Sequence, residues 1–136
     1  MSDKRINYVM WLMMLGLLAY FAYGQGWIFS SFKNLSTEEA YEMIENDKNI
    51  TVIDVRSAKE YKRDCIADAI NIPFSEMEEN LSRVALYKER KIVIYSERGK
   101  RSIDASRLLS KKGFKVFHLN GGVVFWIRNG YSIRRH

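Results

Sequence analysis

The sequence predicts one α/β domain with a mainly parallel sheet between two layers of helices, preceded by a single transmembrane helix. Three observations predict it. Residues 6–32 carry no charged side chain. After Lys33, short β-branched runs alternate with helical segments, the order that buries a parallel sheet between helices. The chain has 136 residues, a length that suits one domain.

The uncharged segment comes first. Its 27 residues would span about 40 Å as a helix, against a hydrocarbon core of about 30 Å. Between Tyr8 and Tyr23 only Gly16 is not hydrophobic. Trp11, Tyr20, Tyr23 and Trp27 lie toward the ends, where interfacial aromatics sit. Residues 1–32 are therefore assigned as tail and anchor, and 33–136 as the soluble domain. A cleaved leader is the competing reading, because Ala22-Tyr23-Gly24 places small residues at cleavage spacing. Lys4, Arg5 and the amino terminus outnumber Lys33, so the positive-inside rule leaves the N-terminus in the cytoplasm by a small margin.

Composition limits the function. The formal charge is +6, from 22 Lys and Arg against 16 Asp and Glu, and the charges are scattered. Such a surface suits an anionic substrate or an anionic lipid surface. No basic stripe with interleaved aromatics appears, so no nucleic-acid partner is expected. Cys65 is the one cysteine. An internal disulfide and a cysteine zinc cluster are thereby excluded. Neither metal nor cofactor is expected.

Along the domain, Ser36 and Glu39 have capping-box spacing, and a helix follows over about 37–45. Residues 50–55 read as a buried strand. A polar helix covers about 58–62. Residues 69–72 form a short strand closed by Pro73, and Ser75 caps a helix running to about Leu86. Residues 91–95 are the next buried strand. They break into a glycine-containing turn, 96–101, followed by a helix over about 102–112. Gly113 stops that helix. Residues 115–119 are a strand, and Asn120-Gly121-Gly122 turns into a last helix ending near Gly130. In a parallel sheet the binding loops lie at the carboxyl ends of the strands. Loops 96–101 and 120–122 qualify.

From about Asn34 to Ile133 the pattern resembles the rhodanese (sulfurtransferase) family. Val52-Ile53-Asp54-Val55-Arg56 is similar to its Asp-x-Arg strand. Glu60-Tyr61 and Ala69-Ile70-Asn71-Ile72-Pro73 are similar to the next conserved segment. Ile92 to Tyr95 precedes the loop, and Arg101-Ser102, Ala105, Leu109 and Gly113-Phe114 match the helix behind it. Asn120-Gly121-Gly122, Trp126, Gly130 and Tyr131 match the closing element. The resemblance implies a three-layer α/β/α domain with a five-stranded sheet. It also implies a substrate such as thiosulfate or a protein persulfide.

Two departures stand out. The family opens the loop with a cysteine in the pattern Cys-x-x-x-x-Arg, and here Ser96 holds that position, ahead of Arg101. Asp64-Cys65-Ile66-Ala67-Asp68 replaces Gly-His-Ile-Pro-Gly, which predicts a relaxed turn. Sulfur transfer needs a soft thiolate held by positive groups. A hydroxyl has no useful anion at neutral pH, whereas a thiol ionises near pH 8.5. The cradle itself is made by other groups: backbone N–H groups, the helix start, and Arg98, Lys100 and Arg101, offset by Glu97. The expected site is Ser96 with Glu97, Arg98, Gly99, Lys100, Arg101 and Ser102, supported by Asp54 and Arg56. Anion binding is expected to persist with sulfur transfer lost.

The serine fits two origins, a natural homologue without the nucleophile or a replacement in an active enzyme. A binding module for an anion or a membrane-protein partner is the alternative function. A serine hydrolase is disfavoured: position 94 is isoleucine, so the Gly-x-Ser-x-Gly elbow is absent, although His118 ends the neighbouring strand. A phosphatase of the related fold has a loop one residue longer and needs the missing thiolate. Cys65 lies outside the loop and is read as packed rather than reactive.

Overall fold

The computed structural model describes residues 3–24 and 32–136. They fall into two units, a lone helix and an α/β domain. Helix α1, Asp3–Gly24, is long and apolar enough from Lys4 to Tyr23 to cross a membrane by length and composition. The rest of the expected anchor, including Trp27, lies outside the described residues.

The domain has strands β1 (Lys33–Leu35), β2 (Ile50–Asp54), β3 (Cys65–Ile66), β4 (Ile70–Asn71), β5 (Lys91–Tyr95), β6 (Lys115–Leu119) and β7 (Ile133–Arg134). Its helices are α2 (Thr37–Asn46), α3 (Ala58–Arg63), α4 (Leu81–Ala85), α5 (Lys100–Lys111) and α6 (Gly122–Arg128). The main sheet runs β1-β6-β5-β2-β4 with every pairing parallel. This is the mainly parallel, helix-covered sheet the residue pattern predicts, with the five strands the resemblance implies. β3 and β7 form a separate antiparallel pair.

Alternation along each strand divides the core. Val52, Val93, Tyr95 and Leu119 pack with Ala40 of α2 and with Val123 and Trp126 of α6. Ile53, Ile92, Ile94 and Val116 pack on the other face with Val84 of α4 and Ala105 and Leu109 of α5. Each fully buried aliphatic side chain contributes about 1.5–3 kcal/mol.

The caps behave as their residues dictate. Ser36 and Glu39 close a full capping box on α2, and Ser57 and Glu60 close a second on α3. At the end of α5, Phe114 N–H reaches the Leu109 carbonyl and Gly113 N–H the Ser110 carbonyl. That is a Schellman ending, with Gly113 at φ 87°.

Four expectations are corrected. Ser75 does not cap a long helix: it lies inside a 3-10 turn, Phe74–Glu76, and α4 starts only at Leu81. Asn80 donates its side-chain amide to the Glu76 carbonyl at 2.8 Å, the local bond by which asparagine interrupts helices. The turn at 64–68 is not relaxed. Cys65 and Ile66 form β3, and Asp68 takes the left-handed conformation at φ 62°, which aspartate tolerates better than most residues. The strand placed at 69–72 is regular only at Ile70 and Asn71, with the Ile72 N–H still bonded to the Asp54 carbonyl. The helix behind the loop begins at Lys100, so Arg101 stands in its first turn.

Candidate functional site

Because all main-sheet strands run one way, their carboxyl ends meet at one edge. Asp54 and Tyr95 are register partners there. Arg56 follows the first strand and Ser96 the second. Both are fully buried.

Ser96 lies at the centre of its loop. Its hydroxyl oxygen accepts the Gly99 N–H at 3.1 Å and the Ser102 N–H at 3.3 Å. It lies 3.0 Å from the Ser102 hydroxyl. Ser102 in turn lies 2.8 Å from His118 Nε2, and His118 Nδ1 lies 2.9 Å from Asn34 Oδ1. A chain of polar groups thus runs from β5 through α5 to β6 and β1. Burial pushes the His118 pKa down, partly offset by the Gly99 carbonyl. The Ser102 hydroxyl donates to the Gly99 carbonyl at 3.0 Å, and His118 Nε2 lies 3.3 Å from the same oxygen.

Two glycines make the loop possible. Gly99 sits at φ 112°, outside the reach of most side chains. Gly122 sits at φ 63°, and a Cβ there would stand 2.4 Å from the carbonyl oxygens of Ser96 and Glu97. Those carbonyls accept the N–H groups of Val123 and Val124 at 3.0 and 3.2 Å. The start of α6 therefore clamps the back of the loop.

The charges are distributed differently from the sequence count. Arg101 is committed to Glu60 through two bonds, 2.8 and 2.9 Å. The Arg101 hydrogen bonds hold the Glu60 pKa down to about 2, against the opposing effect of burial. Glu97 is committed to Arg56 at 3.0 Å and to Arg63 at 3.4 Å. Arg56 also binds Asp54 at 2.8 Å and Asp64 at 3.0 Å. Burial opposes the Arg56 charge, but the carboxylates overcome it and raise the pKa. Arg98 and Lys100 are exposed, and neither makes an ion pair among the described residues.

The fold thus gathers Ser96, Glu97, Gly99, Arg101 and Ser102 with Asp54 and Arg56 at one edge. Sequence reasoning did not identify Asn34, Glu60 as the Arg101 partner, or Asp64. Only Glu60 carried a local signal, the Ser57-x-x-Glu60 capping spacing. His118 approaches the loop as expected, but an amide rather than a carboxylate faces its Nδ1. No group of His, Cys, Asp and Glu among the described residues has a metal-binding arrangement. Cys65 is buried, with Sγ 3.8 Å from His136 Nε2.

A parallel α/β domain that carries its polar groups on one loop between a strand end and a helix start is a defined class. The profile of the rhodanese-like domain family matches residues 36–129, and the chain belongs to that family. A sulfurtransferase of Allochromatium vinosum is 28% identical over 100 residues, covering 73% of this chain and 92% of that protein. The thiosulfate sulfurtransferase GlpE of Coxiella burnetii is 29% identical over 96 residues, covering 70% and 87%. A rhodanese-related protein from Thermoplasma volcanium superposes with a TM-score of 0.70 at 31% identity, covering 77% of this chain and 100% of that one.

Proposed function

We propose that this chain is a membrane-anchored rhodanese-like domain that binds a small sulfur-containing anion, such as thiosulfate or a protein persulfide, without carrying sulfur itself. The Ser96 hydroxyl carries this reading. In sulfur transfer a thiolate attacks the sulfane sulfur of thiosulfate, sulfite leaves, and the sulfur stays as a persulfide until a nucleophile such as cyanide removes it. Ser96 offers an alcohol at that position. Among the described residues no carboxylate hydrogen-bonds its hydroxyl, and oxygen forms no stable persulfide equivalent.

The cradle supports anion binding independently of the nucleophile. Gly99 and Ser102 direct N–H groups at position 96, and Arg98 and Lys100 stand exposed on the loop and the first turn of α5. The similarity to thiosulfate sulfurtransferases favours a sulfur anion. The length and composition of α1 support anchoring over a core helix, with the N-terminus on the cytoplasmic side by the charge rule.

A thiosulfate-to-cyanide assay on this chain and on Ser96→Cys tests the reading. Turnover only in the cysteine form supports it. Turnover in neither form favours a module for an anion or a membrane-protein partner. Turnover with Ser96 in place contradicts it. The mass of the mature chain separates anchor from cleaved leader.

A further inference from the structure

The edge of the sheet opposite the loop is built differently. There the strands begin, and lysine opens three of them: Lys33 in β1, Lys115 in β6 and Lys91 in β5, the last paired with Asp47 at 2.7 Å. Helix α5 also ends at this edge, with Lys111 and Lys112 before the turn into Lys115. A shallow cavity of about 530 Å³ lies at the corner, lined by Phe32, Lys33, Phe114, Lys115, Val116 and Phe117. No acidic residue lines it. Lys88 extends over the Phe114 ring, 5.8 Å from its centre. Lys33, Lys111, Lys112 and Lys115 are exposed, and none makes an ion pair among the described residues.

We propose that this lysine and phenylalanine corner docks on the anionic headgroup surface of the bilayer that holds α1. Aromatic rings flanked by unpaired lysines are the composition that binds at a lipid interface. The occupant also follows from the chain itself. Residues 25–31 separate α1 from Phe32, and they span at most roughly 25 Å. Phe32 and Lys33, the first residues delivered by that tether, are themselves part of the cavity wall. Docking here would turn the opposite edge, with loop 96–101, toward water, about 15 Å away along five-residue strands. The inference rests on the membrane anchoring proposed above.

The test uses the full chain in nanodiscs of purely zwitterionic lipid and in nanodiscs with one-third phosphatidylglycerol. Lysine acylation is read residue by residue by mass spectrometry. Lys33, Lys111, Lys112 and Lys115 should label about fivefold more slowly in the anionic discs, the equivalent of roughly 1 kcal/mol for each engaged lysine. High salt should erase the difference, and Lys100 on the far edge should label equally in both discs. The combined Lys111→Glu, Lys112→Glu, Lys115→Glu variant should lose the protection remaining at Lys33. Incorporation into both discs with these lysines labelling as fast as Lys100 in each overturns the docking surface and leaves the anchor standing. Failure to incorporate into either disc overturns the anchor and this inference with it. Equal protection in both discs points to a protein occupant, α1 or a second copy, and overturns the lipid assignment. Protection in zwitterionic discs by inorganic phosphate alone would mark a small-anion pocket and would also overturn it.

Discussion

The hydroxyl oxygens of Ser96 and Ser102 stand 3.0 Å apart, and Ser102 is also 2.8 Å from His118 Nε2. Position 96 is therefore tied into a buried polar chain that reaches three strands. Its oxygen is hydrogen-bonded in place rather than presented to solvent.

His118 should make stability depend on pH near neutrality. Its folded pKa is lowered from the ordinary value of 6.5 by burial. Below 6.5 the unfolded chain binds more protons than the folded one, so stability should fall as pH drops from 6.5 toward the folded pKa. Urea midpoints between pH 7.5 and 5 should show this slope. His118→Gln should lack it. An unchanged slope in the variant would remove His118 as the cause.

Glu60 works in a lower window. Its pKa is depressed from 4.5 to about 2. Its contribution is complete above 4.5 and is lost as pH falls through about 2. The Arg101 side chain is 38% exposed, so solvent screening leaves on the order of 1 kcal/mol. Glu60→Gln should lower the neutral-pH urea midpoint accordingly and flatten the acid limb.

Removing Arg56 should be far more damaging. Arg56 and Asp54 are both fully buried, and losing one partner of such a pair costs about 3–5 kcal/mol. Arg56→Leu should unfold at much lower denaturant. Arg56→Lys should not restore stability, because one ammonium cannot hold Asp54, Asp64 and Glu97 together.

Gly122→Ala should displace the loop. The added methyl meets the Ser96 and Glu97 carbonyls at 2.4 Å, and the left-handed backbone adds about 1 kcal/mol or more. In a Ser96→Cys background this change should abolish the restored sulfur transfer. Circular dichroism should show that the fold survives.

Much of the fold was legible because local rules and the global pattern agree. The β-branched runs at 50–54 and 91–95, the Ser36 cap and the Gly113 stop each name their own structure. β1 was not legible: Lys33-Asn34-Leu35 is too short and polar to read as a strand, and only pairing with β6 makes it one. β3 and β7 likewise exist through each other. The helix after Pro73 breaks before Leu81, where the Asn80 side-chain amide bonds the Glu76 carbonyl, and no residue pattern there marks the break. At the site, the loop itself was legible from its glycine and its spacing. Its charge state was not, because Glu60 and Arg56 reach it from elsewhere in the chain and spend Arg101 and Glu97 on internal pairs.

The most direct measurement is the intact mass of the purified chain after exposure to thiosulfate, in a Cys65→Ala background that removes the one native thiol. With Ser96 in place the mass should not change, and with Ser96→Cys it should rise by one sulfur atom. A sulfur adduct mapped to Ser96 itself would contradict the account.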